Sequence, residues 1–276
     1  MDSLRVCFLG TGSMGSAVMQ GLIAAGHPKE LISATTNSKA SAEKLRNQGI
    51  SAMSVEESGD ANSLMAGDAD LIVLGVKPYQ IAAVLKEIKD EIGKNAVVIS
   101  MAAGISLDAI AKELPENPNL VRTMPNTPAL VGKGVTGLSV AASCSREAAE
   151  AAASLFAAVG AVIEIPESMI NPLSALSGSG PAWVYYFIEQ WEKVALKEGF
   201  SKEQAEIMVR GTFDGALELL ANSDAEPAEL RRNVTSPGGT TERIIATFDQ
   251  ADLEQILHAG LRAAVARAEE IANSKQ

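Results

Sequence analysis

The sequence predicts an α/β protein, with a doubly wound parallel sheet in its N-terminal part and only helices in its C-terminal part. Three observations support this prediction. Short β-rich runs alternate with helical patterns through the first half, a glycine-rich turn joins the first run to the first helix, and strand-like runs stop after about residue 164. We therefore divide the chain into two domains, residues 1–164 and residues 165–276.

The strands of the first domain are predicted from apolar runs that are bounded by Gly, Pro, Asn or Asp. Helical patterns lie between the early runs, and Ser145 suits the N-cap of an Ala-rich helix that ends at Gly160. This alternation is typical of parallel strands joined by helices. The predicted strands are Arg5–Leu9, Leu31–Thr35, Ala69–Val76, Ala96–Met101, Leu120–Met124, Thr136–Ala141 and Ala161–Ile165, with helices at Ser16–Ala25, Ser41–Gln48 and Gln80–Ile92.

The second domain is predicted to be helical throughout. Its helices cover Met169–Leu176, Ala182–Glu198, Ser201–Leu220, Pro227–Arg232, a segment from near Thr241 and a segment from about Leu253. From Trp183 to Ile188 every residue is apolar, and a helix that is apolar on all sides must be buried on several sides. A domain of about 110 residues achieves this poorly alone. We therefore expect a homo-oligomer with a dimer as its minimal unit; a compact monomeric bundle is the alternative.

Composition excludes several classes of function. The 276 residues include 23 Lys and Arg against 34 Asp and Glu, a formal charge of −11, and only 4% are aromatic, which argues against nucleic-acid binding. No apolar run approaches the ~18 residues of a membrane span, and the N-terminus lacks a signal pattern, so we expect a cytoplasmic protein without membrane contact. The cysteines and histidines have no partners at metal-ligand spacing, so no metal is expected.

A glycine-rich turn follows the first predicted strand. Gly10, Thr11, Gly12, Ser13, Met14 and Gly15 form the pattern G-x-G-x-x-G and lead into a helix. In a Rossmann-type site the first glycine permits the tight turn, the second lets the backbone approach a pyrophosphate, and the third lets helix and strand pack closely. Its place in a βαβ pattern predicts dinucleotide binding, with a plain glycine turn as the alternative.

The end of the second strand bears on the choice of cofactor, because NAD sites usually hold a carboxylate there. Thr36, Asn37, Ser38 and Lys39 offer hydroxyls, an amide and a cation instead. This set suits a 2′-phosphate, so we expect NADPH to be preferred, with NADH possible. The alternative is an ordinary turn at the end of a strand.

Further segments follow the third, fourth and fifth predicted strands. Val76, Lys77 and Pro78 close the third, and the small residues Ala102, Ala103 and Gly104 close the fourth and leave room for a flat ring. Ligands of open α/β sheets bind at these carboxyl ends. Lys77 faces either phosphates or solvent, and the stiff loop 124–128 either shapes a site or connects to the next element.

A hydroxyl-rich loop, Ser236-Pro237-Gly238-Gly239-Thr240-Thr241, separates a helix that ends near Asn233 from one that begins near Thr241. Backbone N–H groups at a helix start, together with Ser and Thr hydroxyls, bind carboxylates or phosphates. Simple capping of the helix is the alternative. Beside a nucleotide domain, a site for an anionic substrate is the better interpretation.

Together these motifs resemble the pyrroline-5-carboxylate reductase family over essentially the whole chain. The resemblance implies NAD(P)H-dependent reduction of 1-pyrroline-5-carboxylate to L-proline, the last step of proline biosynthesis. It also implies a helical second domain that interlocks across a homodimer, sometimes within a decamer. The matching segments are residues 10–15, 76–78, 124–128, 178–182 and 235–241.

The resemblance also implies roles for individual residues. The dinucleotide would contact residues 10–15, 36–39, 76–78 and 102–104, and Asn62. The substrate carboxylate would meet Ser236, Gly239, Thr240 and Thr241, with Asn233 and Glu167 lining the pocket. 

The chemistry of a cyclic imine explains why no histidine is needed. The imine becomes electrophilic once its nitrogen is protonated, so position and matching charge are sufficient for reduction. Thr241 is the candidate catalytic residue, through a hydrogen bond to the ring nitrogen.

Two other classes share the predicted domain plan. A β-hydroxyacid dehydrogenase needs a lysine one turn after the glycines of its interdomain helix, whereas the first lysine after Gly180 is Lys193. A nucleotide-sensing relative without catalysis would have no use for a substrate loop, and residues 236–241 are intact. Both alternatives fit the sequence less well than a reductase.

Overall fold

The computed structural model describes residues 3–273. Within this range eight strands form one sheet, in the spatial order third, second, first, fourth, fifth, sixth, seventh, eighth. All neighbouring strands are parallel except the sixth and seventh. The strands are β1 (Val6–Leu9), β2 (Ile32–Thr36), β3 (Ser51–Ser54), β4 (Leu71–Leu74), β5 (Val97–Ser100), β6 (Leu120–Pro125), β7 (Gly134–Val140) and β8 (Gly160–Glu164).

Helices follow most of the strands, and between β8 and residue 273 the structure consists of helices, turns and loops. Ser145 is an N-cap as predicted, and so is Ser201, since each side-chain oxygen accepts a hydrogen bond from a backbone N–H three residues further on, in keeping with the helix expected to begin at Ser201. The helices are α1 (Ser13–Ala24), α2 (Lys39–Arg46), α3 (Ala61–Ala66), α4 (Ile81–Ile88), α5 (Leu107–Glu113), α6 (Arg146–Ala157), α7 (Ile170–Leu173), α8 (Gly180–Lys197), α9 (Lys202–Ala221), α10 (Pro227–Asn233), α11 (Thr240–Gln250) and α12 (Leu253–Asn273).

The sheet carries a hydrophobic core on each face, as a doubly wound fold requires. Along β1, Val6 and Phe8 belong to one core cluster, while Cys7 and Leu9 belong to the other. Successive side chains of a strand point to opposite faces, so this alternation shows that helices cover both sides. Burial raises the pKa of the Cys7 thiol to about 12, which fits a packing role for this cysteine. The predicted fold class is confirmed.

The chain forms two compact units. The first comprises the described residues up to Ser179 together with those from Ala264 onward, and the second is Gly180–Ala263. The strands lie within the first unit, and β8 ends at Glu164, where the pattern changes to helices. A functional boundary between residues 164 and 165 stays a prediction.

The second unit buries few of its own residues. Only Ala195, Ala205 and Val209 are buried within Gly180–Ala263, although α8 and α9 contain long apolar side chains. Tyr185 is 66% exposed and Ile207 is 67% exposed. These helices therefore present apolar surface that the described residues of this chain do not cover.

The described residues contain neither a membrane-spanning helix nor a grouping of metal ligands. No helix in the range 3–273 has the length and apolar character needed to cross a membrane. In the same range, no three His, Cys, Asp or Glu side chains are grouped so that they would hold a metal ion.

Candidate active site

The strand register brings the four segments predicted to contact the dinucleotide to one edge of the sheet. In the central strand β1, Leu9 is level with Thr35 of β2 and with Leu74 of β4, and Leu74 is level with Ser100 of β5. The segments 10–15, 36–39, 76–78 and 102–104 leave these strand ends. The chain moves from β1 to β2 and β3 on one side and then to β4 on the other. This is the topological switch point at which open α/β sheets bind ligands.

The glycine turn has the shape that the motif requires. Gly10 has a φ of +86°, and a Cβ on Gly10 would lie 2.6 Å from the Val76 Cγ1 atom. A Cβ on Gly15 would lie 2.9 Å from the Gly10 carbonyl oxygen, whereas one on Gly12 would meet nothing within 4 Å. No side chain caps α1, and no acidic residue lies in its first turn. Free N–H groups and an open approach at Gly12 fit a pyrophosphate.

Gly75 is a further requirement of this turn that the motif does not reveal. A Cβ on Gly75 would overlap the Gly10 carbonyl oxygen and would lie 3.4 Å from the Met101 Cε atom. The backbones that follow β1 and β4 therefore touch with no side chain between them. Gly75 lies outside the glycine motif, so only the pairing of β1 with β4 identifies it.

The segment after β2 forms the start of α2. Ser38 is the N-cap of this helix, and its hydroxyl accepts from the Ser41 N–H at 3.4 Å. Asn37 and Lys39 are exposed, while the Thr36 hydroxyl donates to the Ser38 carbonyl oxygen at 2.9 Å. The Lys39 N–H donates to the Glu56 Oε2 atom at 3.0 Å. The absence of a carboxylate directly after β2 was expected to favour a phosphate, yet the turn after β3 supplies one.

The remaining predicted cofactor residues differ in exposure. Lys77 is exposed, and its backbone N–H donates to the Gln80 Oε1 atom at 3.1 Å. Ala102 is buried and Ala103 is exposed, so one side of the small segment is open. Asn62 is only 5% exposed, and its side chain bonds to neighbouring protein groups. The assignment of these residues to the dinucleotide stays a prediction.

Glu167 is held by an ion pair with a buried arginine. Arg122 of β6 is 6% exposed, and its Nη1 atom donates to the Glu167 Oε1 atom at 2.9 Å. The same oxygen accepts from the Leu107 N–H at 2.8 Å. These two donors fix the orientation of the carboxylate, and sequence reasoning gave Arg122 no such role. The signal for it was a single charged residue within a strand that is largely apolar.

The proline-rich loop 124–128 is tied to the segment that follows α7. The Asn126 Nδ2 atom donates to the carbonyl oxygen and to the hydroxyl of Ser177, both at 3.1 Å. The Asn126 Oδ1 atom accepts from the Val135 N–H at 2.8 Å. Ser177 lies in a π-helical turn, Ser174–Gly178. Such turns are rare in proteins as a whole, but they are frequent at functional sites. The loop thus has a clear structural function.

The second unit contains the predicted substrate loop. Helix α10 ends at Asn233 and α11 begins at Thr240, with Gly239 as its N-cap. The Glu242 carboxylate accepts from the Gly238 N–H at 2.9 Å, which holds the loop against the helix. No side-chain hydrogen bond of Thr240 or Thr241 occurs among residues 3–273, so neither threonine caps the helix. Asn233 and Ser236 are exposed.

Two family models match different parts of the chain. Residues 5–104 match the family model described as NADP oxidoreductase coenzyme F420-dependent, and residues 167–271 match pyrroline-5-carboxylate reductase dimerisation. The fold and these matches define a nucleotide-binding oxidoreductase. A pyrroline-5-carboxylate reductase of Vibrio alginolyticus is 38% identical over 273 residues, 98% of each chain. The chain therefore belongs to the pyrroline-5-carboxylate reductase family.

Solved structures of the same family are similar over nearly the whole chain. A pyrroline-5-carboxylate reductase from Coxiella burnetii has a TM-score of 0.90 at 35% identity, covering 97% of this chain and 98% of that one. The pyrroline carboxylate reductase of Plasmodium falciparum, solved with NADP bound, has a TM-score of 0.83 at 29% identity, covering 99% of each chain. The similarity therefore extends over both units.

Proposed function

We propose that this chain reduces 1-pyrroline-5-carboxylate to L-proline in the cytoplasm, with NADPH as the preferred hydride donor and a homodimer as the minimal assembly. The observation that carries the proposal is the sequence similarity to pyrroline-5-carboxylate reductases over nearly the full length of the chain. This reaction would use the glycine turn at the switch point and the two threonines at the start of α11, whose hydroxyls do not cap the helix.

The first unit would hold the dinucleotide through backbone groups. The open N-terminus of α1 would bind the pyrophosphate, and residues 36–39 would face the ribose end. Ala102 to Gly104 would accommodate the nicotinamide ring. When bound, the cofactor supplies the hydride that reduces C5 of the imine. The formal charge of −11 repels anions, so the affinity must come from these local groups.

The loop 236–241 would bind the substrate. The first N–H groups of α11 and the free threonine hydroxyls would hold the carboxylate of the imine, because a helix start stabilises negative charge. We place the Thr241 hydroxyl at the ring nitrogen, where it would donate or pass a proton. Asn233 and Ser236 are exposed beside this loop and would complete the pocket.

Glu167 would act on the other charge of the substrate. Its Oε1 atom is taken by Arg122 and Leu107, which leaves Oε2 for a further donor. A protonated imine nitrogen is the only cationic atom of the substrate, so a carboxylate near that nitrogen would favour this protonation state. The fixed orientation of Glu167 suits this electrostatic task.

The second unit supports association. Its helices expose large apolar side chains and bury only three residues of their own, and residues 167–271 match a dimerisation family. Burying a Leu, Ile or Phe side chain stabilises a protein by about 1.5–3 kcal/mol, so covering such faces favours a second copy of the chain. The monomeric bundle considered from the sequence would leave this surface in water.

An assay of proline formation tests the proposed reaction. The purified chain should oxidise NADPH in a saturable manner when 1-pyrroline-5-carboxylate is supplied, and proline should accumulate in equal amounts. A nucleotide-sensing relative would bind NADPH without turnover. Binding without proline formation would contradict the proposed function.

The cofactor preference would depend on two opposite charges, Lys39 after β2 and Glu56 after β3. Replacing Lys39 with alanine should lower kcat/KM with NADPH roughly tenfold and change the value with NADH little, because a charge-assisted bond to the 2′-phosphate is lost. Glu56→Gln should act in the opposite direction, since its carboxylate lies at the Lys39 N–H. The measurement is kcat/KM for each cofactor.

Lys44→Ala is the matched control, because Lys44 is another exposed lysine of α2 and lies nearer its C-terminus. It should leave the ratio of the two kcat/KM values unchanged. An unaltered protein that prefers NADH would overturn the proposed preference.

A further inference from the structure

A chain of buried and partly buried hydrogen bonds leads from α4 to the glycine turn. The Gly10 N–H donates to the Thr35 Oγ1 atom at 3.1 Å, and the Thr35 hydroxyl donates to the Asn62 Oδ1 atom at 2.8 Å. Asn62 in turn donates twice to Glu87: from Nδ2 to Oε2 at 2.9 Å and from its backbone N to Oε1 at 3.2 Å. Thr35 is 2% exposed. Three elements, β2, α3 and α4, are thereby connected to the first glycine.

The chemistry of the groups fixes the direction of these bonds. An ionised Glu87 can only accept, so it holds the amide nitrogen of Asn62 towards itself. The Asn62 oxygen must then face Thr35 and receive its hydroxyl proton. This leaves a lone pair of the Thr35 oxygen for the Gly10 N–H. Glu87 therefore orders a hydroxyl that it does not touch.

Thr35 also holds the next residue of the turn. The Thr11 N–H donates to the Thr35 carbonyl oxygen at 3.2 Å, and the Thr11 hydroxyl donates to the same oxygen at 3.3 Å. Both the first and the second residue of the turn are thus anchored to β2. Bonds of this kind are strong in a buried setting, because an unmet polar group there is costly.

We infer that Glu87 is a positioning residue for dinucleotide binding, which acts through Asn62 and Thr35 to hold the backbone of Gly10 and Thr11 ready for the pyrophosphate. This inference rests on the proposed nucleotide site and extends it to a residue on α4. It also gives Asn62 a function besides direct contact with the cofactor. The two residues that each of these side-chain hydrogen bonds joins are 25 to 27 residues apart in the sequence, so no local motif reveals them.

The test measures NADPH binding and turnover separately. Glu87→Ala and Thr35→Val should each weaken the Kd for NADPH about tenfold, since each removes one or more buried bonds. Kcat at saturating NADPH should change less than about twofold, because the reacting atoms are untouched. Combining the two changes should weaken the Kd less than the product of the single effects, because both break the same chain of bonds.

A second readout needs no cofactor. In the nucleotide-free protein, the Gly10 amide hydrogen should exchange with solvent faster in both variants, as followed by NMR. Glu91→Ala and Ser33→Ala are the controls: Glu91 is an exposed carboxylate four residues after Glu87, and the Ser33 hydroxyl of β2 donates to the Met65 carbonyl oxygen instead. Neither should change the Kd or the exchange rate.

Several outcomes distinguish this inference from the proposed function. An unchanged Kd in a folded Glu87→Ala protein, or fully multiplicative effects in the double variant, would overturn the positioning role. If Glu87→Ala does not fold, Glu87→Gln and Thr35→Val decide the question by the same measurements. An unaltered chain that binds NADPH but forms no proline would contradict the reaction alone and leave the hydrogen-bond chain supported.

Discussion

Replacing Gly75 with alanine is expected to weaken NADPH binding roughly 100-fold, because an added methyl group in a close-packed site costs on the order of 1–3 kcal/mol. The new Cβ would overlap the Gly10 carbonyl oxygen, which belongs to the backbone and has no rotamer to escape into. The turn after β1 must move, and the pyrophosphate site moves with it. Calorimetric titration with NADPH measures the effect.

Gly93→Ala is the matched control for this prediction. Its Cβ would meet nothing within 4 Å, and its φ is not in the left-handed region. It should leave the Kd for NADPH unchanged. If Gly75→Ala is folded and binds NADPH as the unaltered protein does, the contact between the two turns has no functional importance.

Removing the Thr241 hydroxyl is expected to lower kcat roughly 10²-fold, the usual effect of losing a positioned proton donor. Thr241→Ala should keep α11 intact, because the helix is capped at Gly239 and no side-chain bond of Thr241 contributes to it among the described residues. Steady-state kinetics with saturating imine and NADPH give the value. Thr241→Ser, which keeps a hydroxyl, should retain most of the rate.

Thr247→Ala provides the comparison within the same helix. The Thr247 hydroxyl is exposed and donates an ordinary helical hydrogen bond to the Arg243 carbonyl oxygen. Thr247→Ala therefore removes the same atoms as Thr241→Ala, but from this position. Its kcat should equal that of the unaltered protein. Unchanged kinetics in Thr241→Ala would exclude a catalytic task for this hydroxyl.

Much of the fold was predictable because apolar runs and glycine turns are local signals. The elements that escaped prediction lack such signals. Strand β3 has the sequence Ser-Ala-Met-Ser and lies at the sheet edge, where pairing with β2 rather than its own pattern makes it a strand. Helices α3 and α5 have only six and seven residues, too short for a clear helical period.

The candidate site was predictable only where it is contiguous in sequence. The glycine turn and the loop 236–241 are motifs, and each lies at a helix start in the structure. Gly75, Glu56 and Glu87 act through contacts between distant segments, which depend on strand order and register. A carboxylate next to Lys39 is the clearest example, because residues 31–42 contain none.

The small number of buried residues in Gly180–Ala263 links folding to concentration. If these helices find most of their apolar contacts on a second copy, the free energy of unfolding includes the free energy of association. Dilution then destabilises the protein by mass action. Protein that has no bound ligand, in a cell that expresses little of the chain, would be the form most open to proteolysis. Selection on this part of the sequence would act on the abundance of the chain as well as on its catalysis.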